Sequence, residues 1–113
     1  MGDLQIDLAR GDSVSLVGRL DARTAAAARA ALHDVVDSGR GELLVELGGL
    51  EIWDRAGLGV VVGLARRAAG RGRTLVLLNP GPREARLLRV AGVGRMARMT
   101  ASVPEADEAR LLA

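Results

Sequence analysis

Residues 43–64 read LLVELGGLEIWDRAGLGVVVGL, and the fold of the chain turns on them. Glu42-Leu43-Leu44-Val45-Glu46-Leu47 is a nearly continuous apolar run with a β-branched residue at its centre, which predicts a buried strand covered on both faces. Gly48-Gly49 is expected to break it. Asp54 then stands where a helix N-cap is wanted, since its carboxylate can accept the free amides of a first turn. A helix follows over 55–69, with Leu58, Val61, Val62, Ala65 and Ala69 as its apolar stripe. A buried strand followed directly by a capped helix is half of a βαβ unit, so a largely parallel sheet is expected.

Working outward, the same alternation continues on both sides. Leu4–Leu8 alternates apolar and polar, Arg10-Gly11-Asp12 is a turn, and Val14–Val17 is a second strand closed by Gly18, so the two make an antiparallel hairpin. Asp21 caps a helix over 22–37, whose stripe is Ala28, Leu32, Val35 and Val36, and Ser38-Gly39 ends it with Gly39 in the left-handed conformation. Beyond residue 69, Gly70 and Gly72 precede a buried strand over 74–78. Asn79-Pro80-Gly81 turns, Pro82 opens a helix to Val90, and Met96–Ala101 is a short edge strand. Ser102 and Glu105 form a capping box for a last helix to Leu112. The expected fold is therefore α/β: one domain over 1–113, four to five strands and about four helices in the order β-β-α-β-α-β-α-β-α.

Composition excludes several functions. The chain has 113 residues, no cysteine and a single histidine, so disulfides, thiolate metal sites and multi-histidine zinc sites are impossible. His33 reads as a helix-surface residue. All sixteen basic residues are arginine, but fourteen acids balance them to a net charge of +2. Trp53 is the only aromatic, so no base-stacking platform exists and nucleic-acid binding is not expected. Neither a secretion signal nor a run long enough to span a membrane opens or interrupts the chain, which points to a cytoplasmic domain without direct membrane insertion. No nucleophile–base pair or phosphate-cradling glycine loop is present: Gly57 and Gly59 lack the third glycine or the lysine. Glu46 and Glu51 read as solvated loop carboxylates. The chain is expected to be no enzyme, to hold no cofactor or metal, and to act by binding protein.

At this point the central stretch resembles the STAS domain family of anti-sigma-factor antagonists. Their pattern is a strand ending Asp-Leu-Ser, an apolar pair, then Asp-Ser-Ser-Gly-Leu-Gly opening a helix. Here it reads Glu46-Leu47-Gly48, Ile52-Trp53, then Asp54-Arg55-Ala56-Gly57-Leu58-Gly59. Gly18-Arg19-Leu20-Asp21, the strand ending Asn79-Pro80 and the run Leu87–Val93 are similar to further family segments in the same order. The resemblance implies a module that binds an anti-sigma factor or GHKL-type serine kinase and is released when that kinase phosphorylates the second serine. That serine is Ala56 here and the first is Arg55, so the customary switch is absent. The resemblance marks Arg19, Asp21, Thr24, Asp54, Arg55, Ala56, Gly57, Leu58, Val60 and Val61 as partner-binding candidates. It leaves an alternative, a scaffold or accessory module of a signalling or lipid-transport assembly, and a homodimer is possible on the exposed part of the second helix. Three finer readings follow from the residues. Arg55 either pairs with Glu51 or Asp54 or meets an acid on a partner, because a cation in a first turn opposes the helix dipole. Trp53 reads as core. Gly57, Gly59 and Gly63 serve either close packing or the approach of a partner.

Overall fold

A computed structural model describes residues 4–9 and 12–101. Five strands form one sheet in sequence order: β1 (Leu4–Ala9), β2 (Ser13–Leu20), β3 (Leu43–Ile52), β4 (Leu75–Leu78) and β5 (Ala97–Thr100). Helix α1 (Ala25–Asp37) joins β2 to β3, α2 (Arg55–Gly70) joins β3 to β4, and α3 (Pro82–Val90) with a short 3-10 turn (Val93–Arg95) joins β4 to β5. The β1–β2 hairpin is antiparallel and every other pairing is parallel. Three α-helices rather than about four lie among the described residues; the last expected helix, from Ser102, lies outside them.

One face of the sheet carries the core. Val14, Leu16 and Leu20 of β2, Leu43, Val45 and Leu47 of β3, and Leu75 and Leu77 of β4 pack in one cluster with Leu32 and Val36 of α1, Val61 and Leu64 of α2, and Leu88 of α3. β3 alternates between buried residues and the half-buried Leu44 and Glu46, so it is sealed on one face rather than both, whereas β4 is buried throughout.

Four details depart from the sequence reading, each for a physical reason. β3 does not break at Gly48-Gly49 but runs to Ile52, because an irregularity in the β2–β3 register, between Ser15 and Val17, absorbs the extra residue. β2 likewise passes Gly18, which takes φ 115°, and ends at Leu20. Regular helix begins at Ala25, three residues late, since Asp21 and Thr24 first close a turn of their own. At the other end Gly41, not Gly39, adopts the left-handed conformation, with φ 72°.

The loop that Gly41 turns is held from inside. Arg73 is buried, and among the described residues its guanidinium has no carboxylate partner. Its Nη1 donates to the carbonyls of Val35 (3.0 Å) and Val36 (3.1 Å) in the last turn of α1, and its Nε to Gly41 (3.0 Å). Nη2 reaches the carbonyls of Arg40 and Glu42. A positive charge here also meets the negative end of the α1 dipole, where the helix supplies no basic residue of its own. Close by, Asp37 joins α1 to α2 through Arg67 (2.6 Å) and Arg71 (3.4 Å).

Candidate functional site

All three helix starts and the ends of the three parallel strands that feed them, β2, β3 and β4, meet at one end of the sheet, the usual location of binding sites in open α/β folds. The candidate residues assemble there. Asp54 caps α2: its Oδ1 accepts from Gly57 N at 2.9 Å, while Oδ2 accepts from Ala22 N at 2.9 Å in the loop before α1. One carboxylate thus holds two helix entries in fixed relation. These amide bonds, Gly57 first and then Ala22, favour the charged carboxylate and hold its pKa below the ordinary value of 3.8. A group whose folded pKa is depressed stabilises the fold above its unfolded pKa and loses that contribution as pH falls through the folded one. Wild type is therefore expected to lose stability below pH 3.8. Asp54→Asn, whose single amide oxygen cannot serve both amides, should show a shallower acid loss and a melting temperature lower by a few degrees at pH 7. Thermal melts between pH 7 and pH 2.5 read both; identical acid profiles would remove the proposed ionic role of the cap.

Asp21 and Thr24 form a reciprocal pair. Asp21 Oδ1 accepts from Arg23 N (2.9 Å) and Thr24 N (3.2 Å), and Thr24 Oγ1 accepts from Asp21 N (3.0 Å) and donates to Arg19 O (3.1 Å). Thr24 is thus committed to holding the loop. Arg19 lays its guanidinium 3.9 Å from the centre of the Trp53 ring, within cation–π distance. Trp53 is 53% exposed, so the expectation that it belongs to the core is corrected. It follows Ile52 out of β3 into the loop, past the last core position of the strand.

The phase of α2 decides which of its residues face outward. Its buried positions are Gly57, Val60, Val61, Leu64, Ala65 and Ala68, a stripe turned by about one residue from the expected one. The cause is Gly57: a Cβ there would sit 2.2 Å from the Leu20 carbonyl oxygen. Only glycine lets the helix come so close to β2, and that contact sets the rotation. Val60 and Val61 consequently lie in the core and present nothing to a partner, while Leu58 is half-buried and turned toward α3. Ala56 is half-buried and Gly59 exposed, with open space around it.

A largely apolar notch of about 120 Å³ opens between the two helix starts, lined by Ile52, Trp53, Asp54, Arg55, Leu58, Arg83 and Leu87. A more polar cleft of about 360 Å³ continues from it past Glu51 to Glu84. Among the described residues Arg55 makes no ion pair and no side-chain hydrogen bond, so neither Glu51 nor Asp54 neutralises it. Sequence reasoning missed α3's part in the site. Arg83 Nη1 donates to the Ile52 carbonyl (2.6 Å), and the buried Glu84 accepts from Ile52 N (3.2 Å) and from Arg83 (3.1 Å). The first turn of α3 therefore grips the strand end that carries Trp53. The helical spacing of Glu84 and Leu88 along α3 was the one available signal. No group of acids and histidine able to hold a metal occurs among the described residues, and none of their helices is long and apolar enough to cross a membrane.

Residues 4–101 match the model of a protein family described as "Mlab, STAS domain". Solved structures of similar fold include an assigned anti-sigma factor antagonist from Thermotoga maritima, at 22% identity over 93% of this chain and 92% of that one, with a TM-score of 0.72. An anti-sigma factor antagonist from Mycobacterium paratuberculosis is 24% identical over 94% of this chain and 91% of its own, with a TM-score of 0.68. SpoIIAA in its unphosphorylated form, from Bacillus, is 24% identical over 96% of both chains, with a TM-score of 0.66. No curated protein matches the sequence.

Proposed function

Because the chain belongs to the STAS domain family, we propose that it is a non-catalytic, cytoplasmic docking module of the antagonist type, which binds an anti-sigma factor or a GHKL-type serine kinase through the Trp53–Leu58 end and is not released by phosphorylation. One observation carries the reading. An exposed tryptophan borders an apolar notch that two arginines flank, and one of them, Arg55, makes no ion pair among the described residues. Tryptophan and arginine beside a small apolar pocket are the usual energetic centre of a protein interface. The absence of a switch rests on chemistry. Ala56 has no hydroxyl, and the Thr24 hydroxyl is bound to the Arg19 carbonyl and the Asp21 amide. A phosphate added in such an interface brings nearly two negative charges beside Asp54, which is how the family's ordinary members would be driven off.

Affinity capture from the source cell's lysate tests the proposal. Recovery of a GHKL-type kinase supports it, and incubation with that kinase and ATP should leave the domain unphosphorylated, whereas Ala56→Ser becomes an acceptor. Arg55→Glu should weaken the complex by roughly tenfold or more, and Trp53→Ala by roughly thirtyfold, with little change in melting temperature. Unchanged affinity in both variants would move the interface elsewhere. The accessory-module reading keeps a specific support, since the matching family description is "Mlab, STAS domain" and not that of an antagonist. Recovery of transporter subunits in the same capture decides for it.

A further inference from the structure

β1 ends the sheet, and its outer edge pairs with no strand among the described residues. Free edges are normally blunted by a lysine, a proline or a bulge. β1 has no lysine, proline or bulge, and its one charge is the acid Asp7: it reads Leu4-Gln5-Ile6-Asp7-Leu8-Ala9, and its register against β2 runs without a shift from Leu4↔Gly18 to Ala9↔Ser13. Leu4, Ile6 and Leu8 share the core face, Leu4 and Ile6 packed on its margin, but Leu8 is left 60% exposed. Gln5 and Asp7 share the other face and are exposed.

We infer that β1 joins a second copy of this chain, antiparallel, about a twofold axis through Ile6. The side chains select that register. With Ile6 opposite Ile6 of the second copy, Leu8 meets Leu4, and the Gln5 amide, which already donates to Asp7 of its own strand at 3.0 Å, also faces the Asp7 carboxylate of the other copy on both sides of the axis. Shifting the axis to Asp7 sets two aspartates opposite each other, which is unfavourable. Shifting it to Gln5 pairs, among the described residues, only 4–6. An axis between residues puts leucine against glutamine. The opposite edge, β5, is four residues long and carries Arg98, so it is both shorter and charged in the protective sense. The joined sheet keeps Trp53, Arg55 and Arg83 of each copy free, because β2 separates β1 from β3 and from the helices that carry them.

The chain has no cysteine, so introduced ones act as a ruler. Directly opposed residues on antiparallel strands have Cα atoms about 4.5–5.5 Å apart, within reach of a disulfide, while diagonal neighbours are about 7–8 Å apart and beyond it. A mixture of Gln5→Cys and Asp7→Cys proteins should therefore oxidise to a mixed dimer at least about fivefold faster than either alone. Sedimentation velocity on the unmodified protein should show a monomer–dimer equilibrium in the range of roughly 10–100 µM, weak because a six-residue edge buries less than a standard interface. Gln5→Glu, an exposed change that faces Asp7 across the axis, should raise that dissociation constant roughly tenfold. Val90→Asp, at an exposed apolar residue on α3 far from the edge, should leave it unchanged. Equal crosslinking of Gln5→Cys with itself, a monomer at every concentration, or a dimer lost in Val90→Asp but kept in Gln5→Glu would each overturn the inference.

Discussion

Arg73→Ala should cost the protein about 3–5 kcal/mol of unfolding free energy, the largest effect of any single substitution proposed for it. The guanidinium fork serves the carbonyls of Val35, Val36 and Gly41 at 3.0–3.1 Å, and alanine leaves those acceptors facing a void. Each buried carbonyl stripped of a charged donor carries a desolvation penalty, and the empty space adds a packing loss. Lysine keeps the charge against the helix end but has no planar fork, so Arg73→Lys should lose about half as much. Urea titrations compare the three proteins. Because Arg73 lies at the opposite end of the sheet from Trp53, partner affinity measured well below the melting temperature should stay within about twofold of wild type. A loss under about 1 kcal/mol for Arg73→Ala would mean that water replaces the fork and that the loop over 38–42 does not depend on it.

Gly57→Ala is expected to destabilise the fold by about 2–3 kcal/mol, against a helix-propensity gain of up to about 1 kcal/mol that the alanine itself supplies. The added Cβ would meet Leu20 O at 2.2 Å and Leu20 C at 2.8 Å, both backbone atoms that no side-chain rotation can move aside. That carbonyl also accepts from Trp53 N at 3.0 Å, so relief of the clash pushes α2 outward and disturbs the tryptophan loop. Gly59→Ala is the matched comparison, since nothing lies within 4 Å of its added carbon. It should stabilise by about 0.5–1 kcal/mol. If the partner's backbone packs on Gly59, the same variant will bind less well while melting higher, which separates a glycine kept for the fold from one kept for the complex.

The order and type of the elements were legible because they follow local chemistry. Proline at the start of α3 and aspartate before α2 act within one turn of themselves, and both boundaries fall where those residues put them. Features that depend on distant chain were not legible. Gly48-Gly49 looks like a break until β2 supplies a partner with an irregular register, and Arg73 is one of sixteen arginines with nothing in its neighbours to say that a helix end closes over it. The same holds at the docking end. The motif placed Asp54, Arg55 and Ala56 together, but the rotation of α2 that buries Val60 and Val61 is set by a contact with Leu20 across the fold. Arg83 and Glu84 reach Ile52 over thirty residues of intervening chain, and no spacing rule connects them.

The lone indole has a practical consequence. With no tyrosine or phenylalanine in the chain, every photon absorbed near 280 nm and re-emitted comes from Trp53, seated half in solvent beneath a guanidinium. Its emission reports the local state of one loop and not the integrity of the whole molecule. An optical melting curve can therefore run ahead of the backbone circular dichroism if that loop loosens first, and the interval between the two traces measures how firmly the first turn of α3 holds the end of β3.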